Sequence, residues 1–372
     1  MQVRKTILVG ALLAGFTGAA VAETSVTLYG LVDAGLIYQR AKVGTTDGAR
    51  GAEGSSYKSR IGYQGGQQSG SRWGLRGTED LGNGVAANFV LESGFDSGDG
   101  RSQQGRLFNR QATVGLSSAA GSLDLGRQTN VASRYFEAID PFALDFYAAN
   151  MGSAFGAADT VRYDNTVMYQ SPVFGGFQFA GGYSFAFDTV DRVTEFRTSE
   201  NNRAATFGAR YIGGPLTVAV SYDKQWRKPN QPRPSQAIIG AAYDFEVVKL
   251  SAAYGYSREG VLSGAGLPLA AGRSDGPDQG STTGSFTWSG LKVHSYMAGV
   301  SAPLGASSAI FGSYQRADPN KNLTPTNIYS VGATHELSKR TNVYAYGSYA
   351  DNHSFINGNK ATTVGVGVRH MF

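Results

Sequence analysis

No cysteine occurs among the 372 residues, which excludes a disulfide scaffold, thiolate zinc sites, iron–sulfur clusters and a cysteine nucleophile. Histidine is nearly as scarce. His294, His335, His353 and His370 stand far apart, so neither a metal site nor a cofactor is expected. Charge is thin: Asp, Glu, Lys and Arg make up 16% of the chain, against roughly 25% in ordinary soluble domains. The formal balance of +5 is too mild to point to nucleic acid. Mean hydropathy is −0.23, not that of a helical membrane protein. No Ser–His–carboxylate arrangement stands out, and the Gly181-Gly182 and Gly213-Gly214 pairs precede no helix that could cradle a phosphate. An enzyme is therefore not expected. What is abundant is glycine, with 51 residues, and aromatics, with 20 Tyr, 20 Phe and 3 Trp.

The first 22 residues read as an export signal: a basic start at Arg4 and Lys5, an apolar stretch from Thr6 to Ala20, and the small-x-small site Ala20-Val21-Ala22. The expected organisation is a signal peptide over 1–22 and one domain over 23–372. Losing the two leader cations from the formal +5 leaves +3.

Beyond the signal, period-two alternation dominates and helical spacing is hard to find. Val26, Leu28, Val32, Ala34 and Leu36 share one parity, while Thr27, Tyr29 and Asp33 hold the other. Val85–Leu91, Phe177–Phe185 and Leu216–Tyr222 repeat the pattern. In the last run Val364, Val366, Val368, His370 and Phe372 alternate with Thr363, Gly365, Gly367 and Arg369. Each run is about ten residues, the length a tilted strand needs to cross a bilayer.

The connectors alternate in length. Short joins fall at 81–84, 118–121, 173–176, 213–215, 244–247, 302–307 and 337–340. Longer polar segments lie near 40–58, 97–107, 129–161, 188–202, 226–234, 258–287, 317–325 and 351–360. Seven turns and eight loops join sixteen strands. In lipid every backbone polar group needs an internal partner, so such a sheet survives only by closing. The expected fold is all-β, a 16-stranded antiparallel transmembrane β-barrel. Aromatics near strand ends (Tyr183, Phe185, Tyr211, Tyr222, Tyr243, Tyr344, Tyr346) are expected in its interface girdle, and the scattered histidines at girdle or rim.

Six motifs then resemble a known family. Ser25–Gly35 resembles the first strand of the Gram-negative general diffusion porins, in their beta-proteobacterial branch. Ser71–Gly82 continuing to Phe89–Glu92, Phe108–Ala112 with Leu125–Gln128, Arg162–Phe177, Leu337–Thr341 and the terminal Gly367–Phe372 follow in order. The resemblance spans the mature chain. It implies a homotrimer in the outer membrane, each barrel holding a water-filled pore narrowed by an inward-folded third loop. The segment 129–160 fits that loop, and Glu137, Asp140, Asp145 and Asp159 lie in it. In the family, loop carboxylates face wall arginines; the matching positions here are Arg72, Arg110, Arg127 and Arg162. The resemblance also makes Phe372 the assembly signal read by the barrel-assembly machinery.

Parity tests part of this carry-over. Trp73 and Leu75 point one way, so Arg72 and Arg76 belong to the lumen, since a lipid-facing charge at mid-membrane costs roughly 2–4 kcal/mol. Asp33 shares the inward parity of Tyr29 and joins the pore-lining set. Strict alternation instead puts Arg110 with Ala112 and Val114, and Arg127 with Leu123 and Leu125, on the outward face unless a bulge re-aims them. The expected function is passive diffusion of ions and small hydrophilic solutes, with a weak lean toward anions. The alternative is a substrate-specific outer-membrane channel. Expected surroundings are outer-membrane lipid and lipopolysaccharide.

Overall fold

Alternating strands joined by tight turns pair with their chain neighbours, and the last returns to the first. A computed structural model describes residues 25–43, 56–187, 200–227, 231–260 and 289–372; the expected signal peptide lies outside them. The strands are β1 (Ser25–Val43), β2 (Ser56–Gly65), β3 (Arg72–Gly82), β4 (Val85–Gly94), β5 (Gln111–Ser118), β6 (Gly121–Thr129), β7 (Arg162–Gln170) and β8 (Phe177–Ser184). They continue as β9 (Arg203–Gly213), β10 (Leu216–Trp226), β11 (Ser235–Asp244), β12 (Lys249–Arg258), β13 (Lys292–Leu304), β14 (Ser308–Pro319), β15 (Thr326–Ser338), β16 (Thr341–Asp351) and β17 (Lys360–Met371).

β1 pairs with β17 from Leu31↔Met371 to Lys42↔Lys360, which closes the barrel. It also pairs with both β2 and β3, through Ala34–Val43 and Ser25–Leu31 respectively. These two are successive halves of one stave, broken by an excursion at 66–71. Seventeen strands thus make sixteen staves, all antiparallel. The seven short joins are all turns. At the β3–β4 turn Gly82, Asn83 and Gly84 all have positive φ (82°, 53°, 73°), a conformation glycine adopts without a Cβ clash. Several staves outrun the ten residues expected: β1 has 19, β13 and β15 have 13 each.

The barrel is apolar outside and polar inside. Leu28, Leu36, Ile61, Phe177, Ile239 and Val366 are exposed on the outward parity, while Thr113, Thr166, Thr206, Gln236 and Gln315 are buried on the inward one. That inversion suits a lipid exterior and a hydrated lumen. Tyr183, Phe185, Tyr211, Tyr222 and Tyr243 take the outward face and pair as ring contacts there, for example Phe177 with Tyr211 at 4.7 Å. Tyr344 and Tyr346 depart from the expected girdle. Both are buried inward, where they pack on Phe146.

Residues 130–161, between β6 and β7, hold the largest apolar cluster. A short helix α1 (Val131–Phe136) is capped by Asn130, whose Oδ1 accepts from Ser133 N at 3.1 Å. Phe136, Ile139, Met151 and Phe155 pack against inward-facing Ile238, Val293, Met297 and Ile328. Phe142 and Phe146 pack with Phe311, Tyr344 and Tyr346. Non-helical backbone at membrane depth needs partners, and the wall supplies them. Gln315 Nε2 donates to Ala149 O and Asn150 O at 3.2 and 3.0 Å, Ser348 Oγ to Ala148 O at 2.7 Å, and Ser295 Oγ to Ala154 O at 2.7 Å. Ala143, Leu144, Phe146 and Ala148 all have φ between 53° and 60°. Non-glycine residues hold such strained conformations only where their surroundings dictate it, and these cluster at functional sites.

Candidate pore constriction

The five arginines named from the sequence, Arg72, Arg76, Arg110, Arg127 and Arg162, gather on one stretch of wall. Arg72 opens β3, just past the excursion, and is paired in register with Leu31 and Gly94. Arg76, two residues on, lies over the Tyr29 ring with its guanidinium carbon 5.2 Å from the centroid. Tyr29 in turn donates to Glu92 Oε2 at 3.0 Å, and Arg110 Nε donates to Glu92 Oε1 at 2.6 Å. Arg162 starts β7, donates to Thr160 O at 3.1 Å, and stands within electrostatic reach of Arg72, Arg110 and Arg127.

Strict alternation fails at Arg110 and Arg127 for identifiable reasons. Arg110 precedes β5 and so escapes its pleat. Arg127 sits at a register shift between β6 and β7, beside Gly126 at φ 125° and opposite Asn165 at φ 49°. The irregularity turns it from the exposed Leu123–Leu125 face into an ion pair with Asp164, while its Nε donates to Asn109 O at 2.5 Å. Arg106 shares the same carboxylate at 2.7 Å.

Asp145, on the segment between β6 and β7, lies within electrostatic reach of Arg72 and Arg110. Its Oδ2 accepts from Ser69 Oγ at 2.8 Å and faces Arg369 Nη1 at 3.4 Å. Burial pushes the Asp145 carboxyl up to about 6, although Ser69, Arg72 and Arg369 pull it down. Glu137 is exposed beside a polar cavity of about 350 Å³ that Arg134 and Arg210 also line. Ser69, Glu92, Arg106, Asp164 and Arg369 belong to this network and were not singled out from sequence. Two of them carried a usable signal in their parity: Arg369 with Gly365 and Gly367, and Glu92 opposite the apolar Phe89 and Leu91.

Two acids expected to line the pore do not meet its water. Asp140 is buried and serves its own segment: Oδ2 accepts from Leu144 N at 2.9 Å and Met151 N at 3.2 Å, and burial pushes the carboxyl up to about 7. Asp33 does face inward, but it is 0% exposed beneath the excursion. It accepts from Gln68 N at 2.9 Å, Ser69 N at 2.7 Å and Tyr344 Oη at 2.5 Å. Both satisfy backbone donors that would otherwise be orphaned.

The ion pairs leave an imbalance. Glu92 offsets Arg110, Asp164 faces Arg106 and Arg127, and Asp145 faces Arg369. Among the described residues, Arg72, Arg76 and Arg162 have no carboxylate within ion-pair distance. Arg72 Nε is moreover buried without a hydrogen-bond acceptor. Elsewhere, Phe372 exchanges backbone hydrogen bonds with Gly30 at 3.0 and 3.1 Å. His294, His335 and His370 bond to strand hydroxyls of Tyr254, Ser308 and Thr341, and His353 is buried in the connection between β16 and β17.

Comparison with known proteins gives consistent matches along the chain. A family model described as Gram-negative porin matches residues 10–354. An outer membrane porin protein of Bordetella pertussis is 51% identical over 389 residues, covering 99% of this chain and all of the relative. Among solved structures, an anion-selective porin from Comamonas acidovorans superposes with a TM-score of 0.70 at 27% identity, over 94% of this chain and 100% of that one. An outer membrane protein of Vibrio cholerae in a trimer form shares the fold, with a TM-score of 0.60 at 13% identity over 94% and 99% of the two chains.

Proposed function

The chain belongs to the Gram-negative porin family, and on that premise we propose that it is a general diffusion channel of the outer membrane that passes ions and small hydrophilic solutes with a preference for anions. The observation that carries the preference is the set of three guanidiniums without carboxylate partners, Arg72, Arg76 and Arg162, on the wall that also meets Asp145. Arginine keeps its charge at every physiological pH, so this excess is permanent. Charge clusters at a narrow passage bias which ion enters. A hydrated anion exchanges part of its shell for guanidinium N–H donors and crosses without a covalent step. Apolar solutes gain nothing from these donors and are disfavoured.

In this reading the segment 130–161 is the constriction loop, and the aromatic clusters around Phe142 and Phe146 hold it against the wall. The protein acts as a channel and not as an enzyme. Three copies assemble as a trimer in outer-membrane lipid and lipopolysaccharide, as the trimer form of a fold neighbour supports. Phe372 serves the assembly machinery as the terminal aromatic of the closing strand.

The test is single-channel recording of the purified trimer in a planar bilayer under a salt gradient. Near-linear current in steps of three, with an anion-selective reversal potential, is the expected result. Silence from folded, heat-modifiable trimer overturns diffusion and favours a plugged or substrate-specific channel.

A further inference from the structure

On the turn side of α1, the polar cavity of about 350 Å³ beside Glu137 is lined by two cations and two acids that do not pair with one another. Asp124 on β6 is in register with buried Met168, and Arg210 on β9 with buried Gln178 and Ala219, so both point into the barrel. Both lie close to short turns, at 118–121 and 213–215, which mark the periplasmic end of such a barrel. The segment between β6 and β7 supplies the other two: Arg134 from α1, and Glu137 directly after it.

The four are held in place but not used up. Arg134 Nε and Nη2 donate to Thr129 O and Gln128 Oε1 at 3.2 and 2.8 Å, and Arg210 Nε donates to Gln178 Oε1 at 3.0 Å. Arg134 Nη1 and both Arg210 Nη groups have no acceptor among the described residues. Arg210 also lies over the Tyr135 ring, 4.9 Å from its centroid. Tyr135 lines the same cavity, and its buried hydroxyl has no hydrogen-bond partner, which is uncommon for a buried polar group. Glu137 makes no hydrogen bond or ion pair among the described residues, and Asp124 meets only Ser122 Oγ at 3.5 Å. Asp124 and Arg134 are within electrostatic reach, yet no opposite charges among the four approach to ion-pair distance.

The four charges sum to zero, so a plain anion or cation meets repulsion along with attraction. A solute that carries both signs finds a partner for each end. From this geometry we infer that the cavity is a binding station for zwitterionic solutes of amino-acid size passing through the lumen. Arg134, Arg210 and the Tyr135 hydroxyl take the carboxylate by charge-assisted hydrogen bonds, and Glu137 and Asp124 take the ammonium. The volume falls at the small end of small-molecule pockets, which run from about 300 to 1,000 Å³. The inference rests on the open-channel reading above and adds a solute class to it.

The test adds L-glutamine to the conducting full-length trimer in a planar bilayer and reads its dissociation constant from solute-induced current noise. Glutaramate, which lacks the ammonium, and γ-aminobutyramide, which lacks the carboxylate, are the comparison solutes. Glutamine is expected to bind about tenfold more tightly than either. R134Q/R210Q and D124N/E137Q are each expected to weaken glutamine about tenfold, the first without weakening γ-aminobutyramide and the second without weakening glutaramate. If a double variant does not assemble, R210Q and E137Q decide in its place, since Glu137 is exposed and holds nothing in the fold. Equal binding of the three solutes overturns the inference, as does glutamine binding that the variants leave unchanged. Silence in salt alone overturns the open channel itself, so the two failures are told apart.

Discussion

Ser69 Oγ donates a 2.8 Å hydrogen bond to Asp145 Oδ2, joining the break in the second stave to the segment between β6 and β7. The link is reinforced by backbone: Phe146 N donates to Gln68 O at 2.7 Å and Tyr147 N to Gln67 O at 2.8 Å. Asp33 holds the excursion from beneath through the amides of Gln68 and Ser69. A carboxylate on the first strand thus positions, through Gln68 and Ser69, the acid that meets Arg369.

Asp33→Ala removes the acceptor for two buried amides and a tyrosine hydroxyl. Hydrogen bonds to a charged group contribute about 1.5–3 kcal/mol each, and orphaned donors add their own cost. The expected outcome is a trimer that melts earlier and an open channel with noisier current. A quiet channel of unchanged heat stability refutes the latch.

Arg72 and Arg127 separate charge that is free from charge that is spent. Arg72→Glu is expected to move the reversal potential toward cations. Arg127→Gln leaves Asp164 with Arg106, so selectivity holds while stability falls by about 1–3 kcal/mol. Comparable selectivity shifts in both variants contradict the assignment.

Protonation of Asp145 removes a negative charge that acts on the unpaired Arg72. With its carboxyl raised to about 6, anion preference is expected to strengthen as pH falls through that value. Reversal potentials from pH 8 to pH 4 check this, and Asp145→Asn should be flat at the low-pH level. A wild type equally flat refutes it.

Asp140 titrates for stability instead. Its carboxyl is raised in the folded state from an ordinary 3.8 to about 7, so the proton's stabilisation is complete below about pH 4 and is lost as pH rises through 7. Exchange of the Leu144 and Met151 amides should accelerate over that window. In Asp140→Asn the pH dependence should vanish once intrinsic exchange is corrected for.

Deleting Phe372 removes the backbone pair with Gly30 and the ring that covers that glycine. Assembled trimer is expected to drop with synthesis intact. Unchanged yield removes the proposed role of the terminal aromatic.

Much of this was legible in the residues. The Gly-Asn-Gly turn, the Val364–Phe372 alternation and the lumenal parity of Arg72 and Arg76 report on atoms a few bonds apart. Arg127 defied the same rule because a register shift belongs to two strands, not one. Tyr344 and Tyr346 resemble girdle tyrosines in sequence. Only the phenylalanines brought against them, Phe146 and Phe311, reveal which face they serve.

Period-two burial and turn chemistry are local, so the sequence by itself determined a closed barrel with lipid outside and water within. Which charges meet was decided by closure. Ser69 and Asp145 are 76 positions apart, and Asp145 and Arg369 are 224. No local preference reaches that far: the contacts exist because β17 pairs with β1 and the segment after β6 packs on the wall. Tertiary structure alone therefore settled which acids are buried props, which arginines are spent in ion pairs, and which remain for a passing anion.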